Sequence, residues 1–300
     1  MSDPCVSAGG SFRITLSTLV RTAVILCGLL ITGTPVTRTL EAQNRHLLTS
    51  ERQLWSDRPL DVTVEFGGGR LQLRPAEAPT LYRMELTYDQ RVIEPVIRFS
   101  EELGTLHLGV PSVRDRERRN SREGSSALIA LTRTVPLDLD LKFGLGRADI
   151  ELGGLSLRNL SLSTGASETT VSFGSANPLM AEAVRITAGA AELTVHNLGN
   201  ARARMIRFKG GMGSTVLDFG GDWVQNANAS IEMGVGSVTI RLPRALGVQI
   251  HRSSVLSSFS APEMEQKDNS YFSANWNTTS TQLTIDLSAA LGSVTVEWIE

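Results

Sequence analysis

Between Leu139 and Leu242 one short phrase recurs: a few alternating apolar residues, a glycine corner, then a second alternating run. Leu141-Lys142-Phe143-Gly144 leads into Ile150-Glu151-Leu152, and Ser163-Thr164-Gly165 into Val171-Ser172-Phe173. Ile186-Thr187-Ala188-Gly189 leads into Leu193-Thr194-Val195, Phe208-Lys209-Gly210-Gly211 into Val216-Leu217-Asp218, and Ile231-Glu232-Met233-Gly234 into Val238-Thr239-Ile240. The corner glycines at 144, 165, 189, 211 and 234 are separated by steps of 21, 24, 22 and 23 residues. Alternation of period two places every second side chain on one face of a strand. A repeat of this length is one supersecondary unit of a stacked array, and it accommodates two short strands and two corners. One such unit cannot bury its apolar face, so neighbours must stack and share a row of Leu, Ile, Val and Phe. Glycine supplies the backbone angles or the close approach that a turning strand requires. The competing architecture is an antiparallel sandwich with hairpins every 8–12 residues, and in-phase glycines favour the stack. The fold class expected is all-β, a β-solenoid-like pile of two-strand repeats.

Charged residues make up 20% and hydrophobic residues 41% of the 300-residue chain, the balance of a folded protein. Aromatics are only 5%, which argues against a large stacking groove for sugars or bases, and a formal charge of −2 suggests no nucleic-acid surface.

Residues 1–42 read as an export signal. Arg13 and Arg21 form a basic flank, and Thr22 to Gly33 is an apolar run shorter than the roughly 20 residues that span a bilayer. Cleavage is expected after Ala42, although Leu40 is large for the −3 position; an uncleaved membrane anchor is the alternative. Leu26 precedes Cys27 where a lipid-attachment signal wants a small residue. Both cysteines, Cys5 and Cys27, lie in this leader, so residues 43–300 have no disulfide, thiolate nucleophile or thiolate metal site. That mature region is expected to form a single repeat-built β domain.

Ser50 with Gln53 fits a capping box, and residues 44–58 are expected to form a short helix whose Leu54 and Trp55 cover the first open rung. Residues 60–110 return to strands: Val62 to Leu73 repeats the central phrase with Gly67 at its corner, followed by runs at Leu81–Tyr88, Val92–Phe99 and Leu103–Leu108. Arg114 to Glu123 interrupts with five arginines and three acids within a charged loop over 111–126, read as a solvated connection rather than a contact for anionic polymer. The main stack is expected over 135–300. Within it Leu246–Phe259 offers a degenerate rung with Ser253 and Ser254 in place of glycine, Ala261–Asn277 a loop or hairpin extension, and Leu283–Trp298 a closing strand–corner–strand phrase.

The phrase Gly234-Val235-Gly236-Ser237-Val238-Thr239-Ile240 returns as Leu291-Gly292-Ser293-Val294-Thr295-Val296. With Pro243 to Ile250 and Val62 to Gly69, it resembles the bacterial toast-rack and "putative adhesin" (DUF4097-like) domains, including the extracytoplasmic domain of LiaF-type cell-wall stress proteins. The likeness covers roughly 60–300. It implies a β-solenoid-like envelope domain with roles in adhesion or in sensing cell-wall stress, and no catalytic residues. The chain departs from the LiaF type in lacking its several membrane spans, which weakens the expectation of direct control over a sensor kinase.

No residue pattern points firmly to chemistry. The Gly-x-Gly corners run into strands such as Ala148–Leu152, whereas a phosphate cradle needs a helix N-terminus. Gly210 to Ser214 begins like a calcium-binding β-roll repeat but has Thr215 where that motif has aspartate; Asp218, Asp222 and Glu232 are the carboxylates nearest to forming a site. His46, His107, His196 and His251 share no ligand spacing. Asp138 and Asp140 share a strand face and invite comparison with glycosidase carboxylates, but alternating solvent residues account for them. Ser161, Ser163, Thr169 and Ser172 suggest stacked hydroxyl rows that pair across strands and offer a flat surface to polysaccharide.

The sequence therefore predicts an exported, non-catalytic protein of the periplasm or cell surface, presenting a β surface for adhesion or for binding cell-wall glycan or an envelope protein. It predicts no catalytic, cofactor or metal residues, no nucleic-acid partner, and membrane contact only through the N-terminal segment if that is retained. An extracytoplasmic regulatory domain and a polysaccharide-active enzyme on a β-helix are the alternatives.

Overall fold

A computed structural model describes residues 45–300 apart from 55, 92, 111–124 and 254–255. The export signal, Trp55 and the arginine-rich loop lie outside the described residues. The described residues fold as one 17-stranded all-β assembly. Its strands are β1 (Arg45–Gln53), β2 (Leu60–Phe66), β3 (Gly69–Ala76), β4 (Thr80–Asp89), β5 (Val96–Ser100), β6 (Thr105–Val110), β7 (Ser126–Thr132), β8 (Leu137–Glu151), β9 (Leu157–Ser172), β10 (Ala181–His196), β11 (Ala203–Asp218), β12 (Ala227–Pro243), β13 (Gly247–Arg252), β14 (Leu256–Ser260), β15 (Met264–Lys267), β16 (Ser270–Ser273) and β17 (Gln282–Ile299).

The repeat forms the expected stack, with one difference in detail. A glycine corner does not split its unit into two strands. Each of β8 to β12 and β17 is a single strand of 15–18 residues that pairs in parallel with its neighbours on both sides of the corner. The half before the corner (the entry half) and the half after it (the exit half) belong to two faces of one solenoid. The parity of the inward residues shows this. In β8 they are Leu137, Leu139, Leu141 and Phe143, then Ala148 and Ile150; in β12 they are Ala229, Ile231 and Met233, then Val238 and Ile240. A regular strand would turn its second half outward, because a one-residue shift exchanges the faces. The corner supplies that shift, so both halves remain apolar on the core side.

Two ladders of close backbone approach make the corner possible. Gly67, Gly144, Gly165, Gly189, Gly211 and Gly234 form one, in which each glycine after Gly67 faces the carbonyl oxygen of the glycine before it. Gly213, Gly236 and Gly292 form part of the other, in register, with φ of +130°, +140° and +127°. A Cβ on Gly292 would lie well inside van der Waals contact of the Gly236 carbonyl oxygen. Glycine is required there by both angle and space.

Between the faces, in-register apolar rows form the core. One runs Val62, Leu139, Leu160, Val184, Ile206, Ala229, Ile285 and Ile250; another, in the exit halves, runs Leu73, Ile150, Val171, Val195, Leu217, Ile240 and Val296. Spatial and chain order differ at both ends. β2 and β3 form a bent rung between β8 and a further rung of β6 and β7. β17 inserts between β12 and the last rung, β13 with β14. That last rung is the degenerate phrase expected over Leu246–Phe259, and the polar segment after it contains the β15–β16 hairpin.

The helix expected over 44–58 is absent among the described residues: this segment contains strand β1, antiparallel to β4 from Arg45↔Asp89 to Gln53↔Thr80. Ser50 does not cap; its Oγ lies 3.0 Å from the Tyr82 hydroxyl. A strand supplies partners for the outer backbone groups of β4, which a helix cannot do. Leu47 faces solvent and is 72% exposed, while Leu48 packs against the core.

Because each rung folds back, its end lies near the start of the next, and short connections such as 152–156 between β8 and β9 suffice. Side-chain amides bind these connections together. Buried Asn177 donates through Nδ2 to the carbonyls of Leu157 (2.8 Å) and Ala201 (3.2 Å), and its Oδ1 accepts from the N–H groups of Leu157 and Leu179 (both 3.1 Å). One rung on, Asn200 donates to the Phe173 carbonyl and accepts from the N–H of Asp222, both at 2.8 Å.

Gly292→Ala is expected to destabilise the protein by roughly 2–4 kcal/mol. Gly189→Ala, where a Cβ would meet its nearest atom at 3.1 Å and φ is not positive, should cost less than about 1 kcal/mol. Urea unfolding of the two variants checks the difference. Asn177→Ala removes a partner from the Leu157 and Leu179 N–H groups and from the Leu157 and Ala201 carbonyls and should cost roughly 2–4 kcal/mol in the same measurement, with Asn177→Asp, which sets a buried carboxylate against those two carbonyl oxygens, costing at least as much.

Candidate functional site

The outward residues of the two faces differ in chemistry. On the entry face charged residues, several of them paired, share the rows with Ser161, Ser163, Thr187, Ser230 and Ser288. Lys142 Nζ donates to Glu65 Oε1 at 2.8 Å and lies 3.3 Å from Asp140, Lys209 pairs with Glu232 at 3.0 Å, and Arg158 donates to Asp138. The Lys142 hydrogen bond holds the Glu65 carboxyl below its ordinary range, and the same bond, with Asp140 nearby, pushes the ammonium up. An open groove of about 500 Å³, lined by Lys209, Ser230, Glu232, Ser253, Asp286 and Ser288, crosses β11, β12 and β17 on this face.

The exit face changes character along the stack. Toward its N-terminal end, the row nearest the corner has Arg147 paired with Glu168, followed by Glu192. From β11 onward that row is Ser214, Ser237, Ser293 and Ser258, each opposite the next. The adjacent outward row begins with Asp149, opposite Thr170, and continues with Thr194, Val216, Thr239, Thr295 and Ser260. Ser237 Oγ donates to Ser214 Oγ at 3.2 Å, and Ser258 Oγ to the Gly292 carbonyl at 3.3 Å. From β11 onward charge returns in the third row, where His196 lies 3.7 Å from Asp218 and Arg241 donates to Glu297 at 2.9 Å. The result is a flat, neutral field of hydroxyls spaced by one strand, about 4.8 Å. Hydroxyls both donate and accept, so such a field hydrogen-bonds polyhydroxylated chains without charge selection.

Of the hydroxyls singled out in the sequence, Ser161 and Ser163 lie outward on the entry face and Ser172 outward on the exit face. Thr169 is a correction: it is buried, with its Oγ1 3.0 Å from Ser167 Oγ, because the corner reverses parity between Ser163 and Thr169. Ser237, Thr239, Ser293 and Thr295 of the exit field belong to the family phrase Gly-x-Gly-Ser-Val-Thr. In that phrase Val238 and Val294 face the core, so Ser237, Thr239, Ser293 and Thr295 must face out; that is the signal that identifies them.

The other candidates are dispersed. Asp218 is on the exit face, Glu232 on the entry face beside Lys209, and Asp222 in a connection paired with Arg202 at 2.8 Å. Among the described residues no group of three or more His, Cys, Asp or Glu could hold a metal. His46 stacks obliquely on Tyr88, His107 lies 3.8 Å from Glu65, and His251 Nδ1 is 3.4 Å from Ser270 Oγ. Asp138 and Asp140 do share an outward face, with Asp138 also accepting from Asn159 at 2.9 Å. Among the described residues no helix is long and apolar enough to cross a membrane.

A parallel, glycine-cornered solenoid with amide-bound connections and polar outer faces defines the class as a repeat-built β domain. The sequence matches the family model described as the N-terminal domain of toast_rack (DUF2154) over residues 39–196 and 183–241, and the chain belongs to this family. Similar solved structures include a "putative cell adhesion protein" of Clostridium sporogenes (15% identity, TM-score 0.47, covering 85% of this chain and 100% of that one). A "putative adhesin" of Bacteroides fragilis (11%, 0.39, 84% and 97%) and a "putative lipid binding protein" of Parabacteroides distasonis (10%, 0.39, 86% and 98%) are also similar. Among curated proteins none matches the sequence.

Since the folded Glu65 carboxyl titrates below its unfolded value, its pair with Lys142 stabilises the protein above the unfolded carboxylate pKa, and that stabilisation is lost as pH falls through the folded value. The pair is partly solvated, so Glu65→Gln should lower stability by less than about 1 kcal/mol at neutral pH. Denaturation at a series of pH values should show the parent and variant converging in acid.

Proposed function

We propose that this protein is exported and non-catalytic, and that it acts in the cell envelope by adhesion, binding cell-wall glycan through the hydroxyl field of its exit face. The observation that supports this reading is the in-register row Ser214, Ser237, Ser293 and Ser258 beside Thr239, Thr295 and Ser260. Stacked hydroxyls add tenths of a kcal/mol per pair to a sheet, and many other outward residues would serve the fold equally well. An extended neutral array is suited to many weak, repeated contacts with a polymer of similar period rather than to enclosing one small molecule. Against hydrolysis, Asp138 is engaged by Arg158 and Asn159, and Asp140 lies beside Lys142, so neither carboxylate stands free to act on a sugar. The N-terminal apolar run agrees with export.

Sedimentation of the purified protein with isolated cell walls tests the reading. The parent is expected to co-sediment. A variant carrying Ser237→Lys and Thr295→Lys, exposed or half-exposed positions that are diagonal rather than opposite on β12 and β17, should lose at least about tenfold in binding while keeping its unfolding midpoint. Undiminished binding by a folded variant would rule out this face.

A further inference from the structure

The residue between the two corner glycines has a constant character that the stack does not require. From β8 to β12 and in β17 the strand turns on a short triplet: Gly144-Leu145-Gly146, Gly165-Ala166-Ser167, Gly189-Ala190-Ala191, Gly211-Met212-Gly213, Gly234-Val235-Gly236 and Ala290-Leu291-Gly292. The middle residue is apolar in all six, although hydrophobic residues are 41% of the chain; the β2–β3 rung has Gly68 there. Register sets these residues in line. Leu145 is opposite Ala166, Ala190 opposite Met212, Met212 opposite Val235, and Val235 opposite Leu291. The offset that pairs Thr164 with Ala188 and Glu168 with Glu192 aligns Ala166 with Ala190. The line follows the crest of the bend for about 24 Å at one strand spacing per residue. Its large members are exposed: Leu145 44%, Met212 61%, Val235 43% and Leu291 49%. Glycines or small residues on both sides leave nothing to cover them.

We propose that this crest is a membrane-contacting edge, which inserts its apolar side chains into the headgroup boundary of a lipid bilayer. Area and shape select that occupant. Four half-exposed side chains in single file present on the order of a few hundred Å², whereas a specific protein interface takes about 800 Å² from each partner. Two such convex crests, from two copies, would touch along a line. A bilayer surface is deformable and accommodates a projecting row at the depth where peripheral apolar groups sit. Charge points the same way. The nearest flanking charges are two ion pairs, Arg147 with Glu168 beside Leu145 and Lys209 with Glu232 before Met212, and the single carboxylate of Glu192 beside Ala190. That rim suits zwitterionic headgroups and creates no demand for anionic lipid. The contact uses neither the exit-face hydroxyl field nor the N-terminal apolar run, so it stands whether or not the glycan reading does.

The test uses the full chain with Cys5→Ser and Cys27→Ser and an environment-sensitive fluorophore attached to Met212→Cys, or to Thr239→Cys as an outward control on the exit face. With phosphatidylcholine vesicles the label at 212 should shift to the blue and that at 239 should not, with the same shift when phosphatidylglycerol is mixed in. Adding Leu145→Ser, Val235→Ser and Leu291→Ser to the protein labelled at Met212→Cys should keep its unfolding midpoint and abolish the blue shift, including on protein that the N-terminal run still holds on the vesicle. A silent label at 212 on vesicle-bound protein overturns the proposal, since the N-terminal run would then carry the binding. So does binding confined to phosphatidylglycerol, which charge would explain. A blue shift at 212 that grows with protein concentration and needs no vesicles overturns it in favour of a second copy covering the crest.

Discussion

Everything in this fold depends on how closely one backbone can approach the next at the bend. A strand that turns back on itself must direct its corner residues toward the preceding rung, and there the neighbouring carbonyl occupies the space of a side chain. Gly236 and Gly292 show the constraint at its tightest, each over the carbonyl of the rung before. Once the corner closes, the rest follows. The two halves of each strand face one another, a short connection reaches the next rung, and parallel pairing continues without the long crossover that parallel strands normally need. The same corner reverses parity, so a simple alternating sequence fills the core from both sides.

The ends of the stack carry a different constraint. A parallel pile has no intrinsic stop, and an open rung would recruit another strand. Here the parallel register gives way to antiparallel strands: β4 and β5 against β7 and β6 at one end, β16 against β13 at the other. β1 extends the first of these, with Arg45, His46, Glu51 and Arg52 along it, charged or polar residues of the kind that discourage further pairing. The C-terminal strand β17 lies inside the pile, paired on both sides, so the last residues of the chain complete the core.

The repeat was legible because its signals are local. Glycines at steps of 21 to 24 residues and period-two runs are properties of single rungs, and stacking multiplies them. What escaped is what one rung cannot express. Ser50 and Gln53 form a convincing local cap, but the segment is a strand because β4, thirty residues later, has an outer edge to satisfy. Counting by twos from Ser161 places Thr169 outward; the corner at Gly165 intervenes and turns it in, beside Ser167. Asn177 and Asn200 sit in irregular connections where sequence shows no period, and their bonds run to backbone groups of other rungs. The hydroxyl field was written in the Ser-Val-Thr phrase, readable once the side on which valine lies is known.

The stack divides its residues into two kinds, and that division gives the surface its meaning. Inward positions and corner glycines are set by packing and by backbone approach, so their regularity reflects folding. Outward positions are set by neither. Arg147, Glu168, Glu192 and Ser214 occupy equivalent places in successive rungs, which shows that the row next to the corner tolerates either charge or none. Uniformity at outward positions therefore needs a cause outside the core. Two sets are uniform: the hydroxyls from Ser214 to Ser258 and the apolar crest from Leu145 to Leu291. They lie side by side, Ser214 two residues from Met212 and Ser293 two from Leu291. A solenoid that rests its crest on a bilayer would hold the adjoining hydroxyl row at the headgroup boundary and direct the Thr239–Thr295–Ser260 row away from it, joining a lipid contact and a glycan contact on one rigid body.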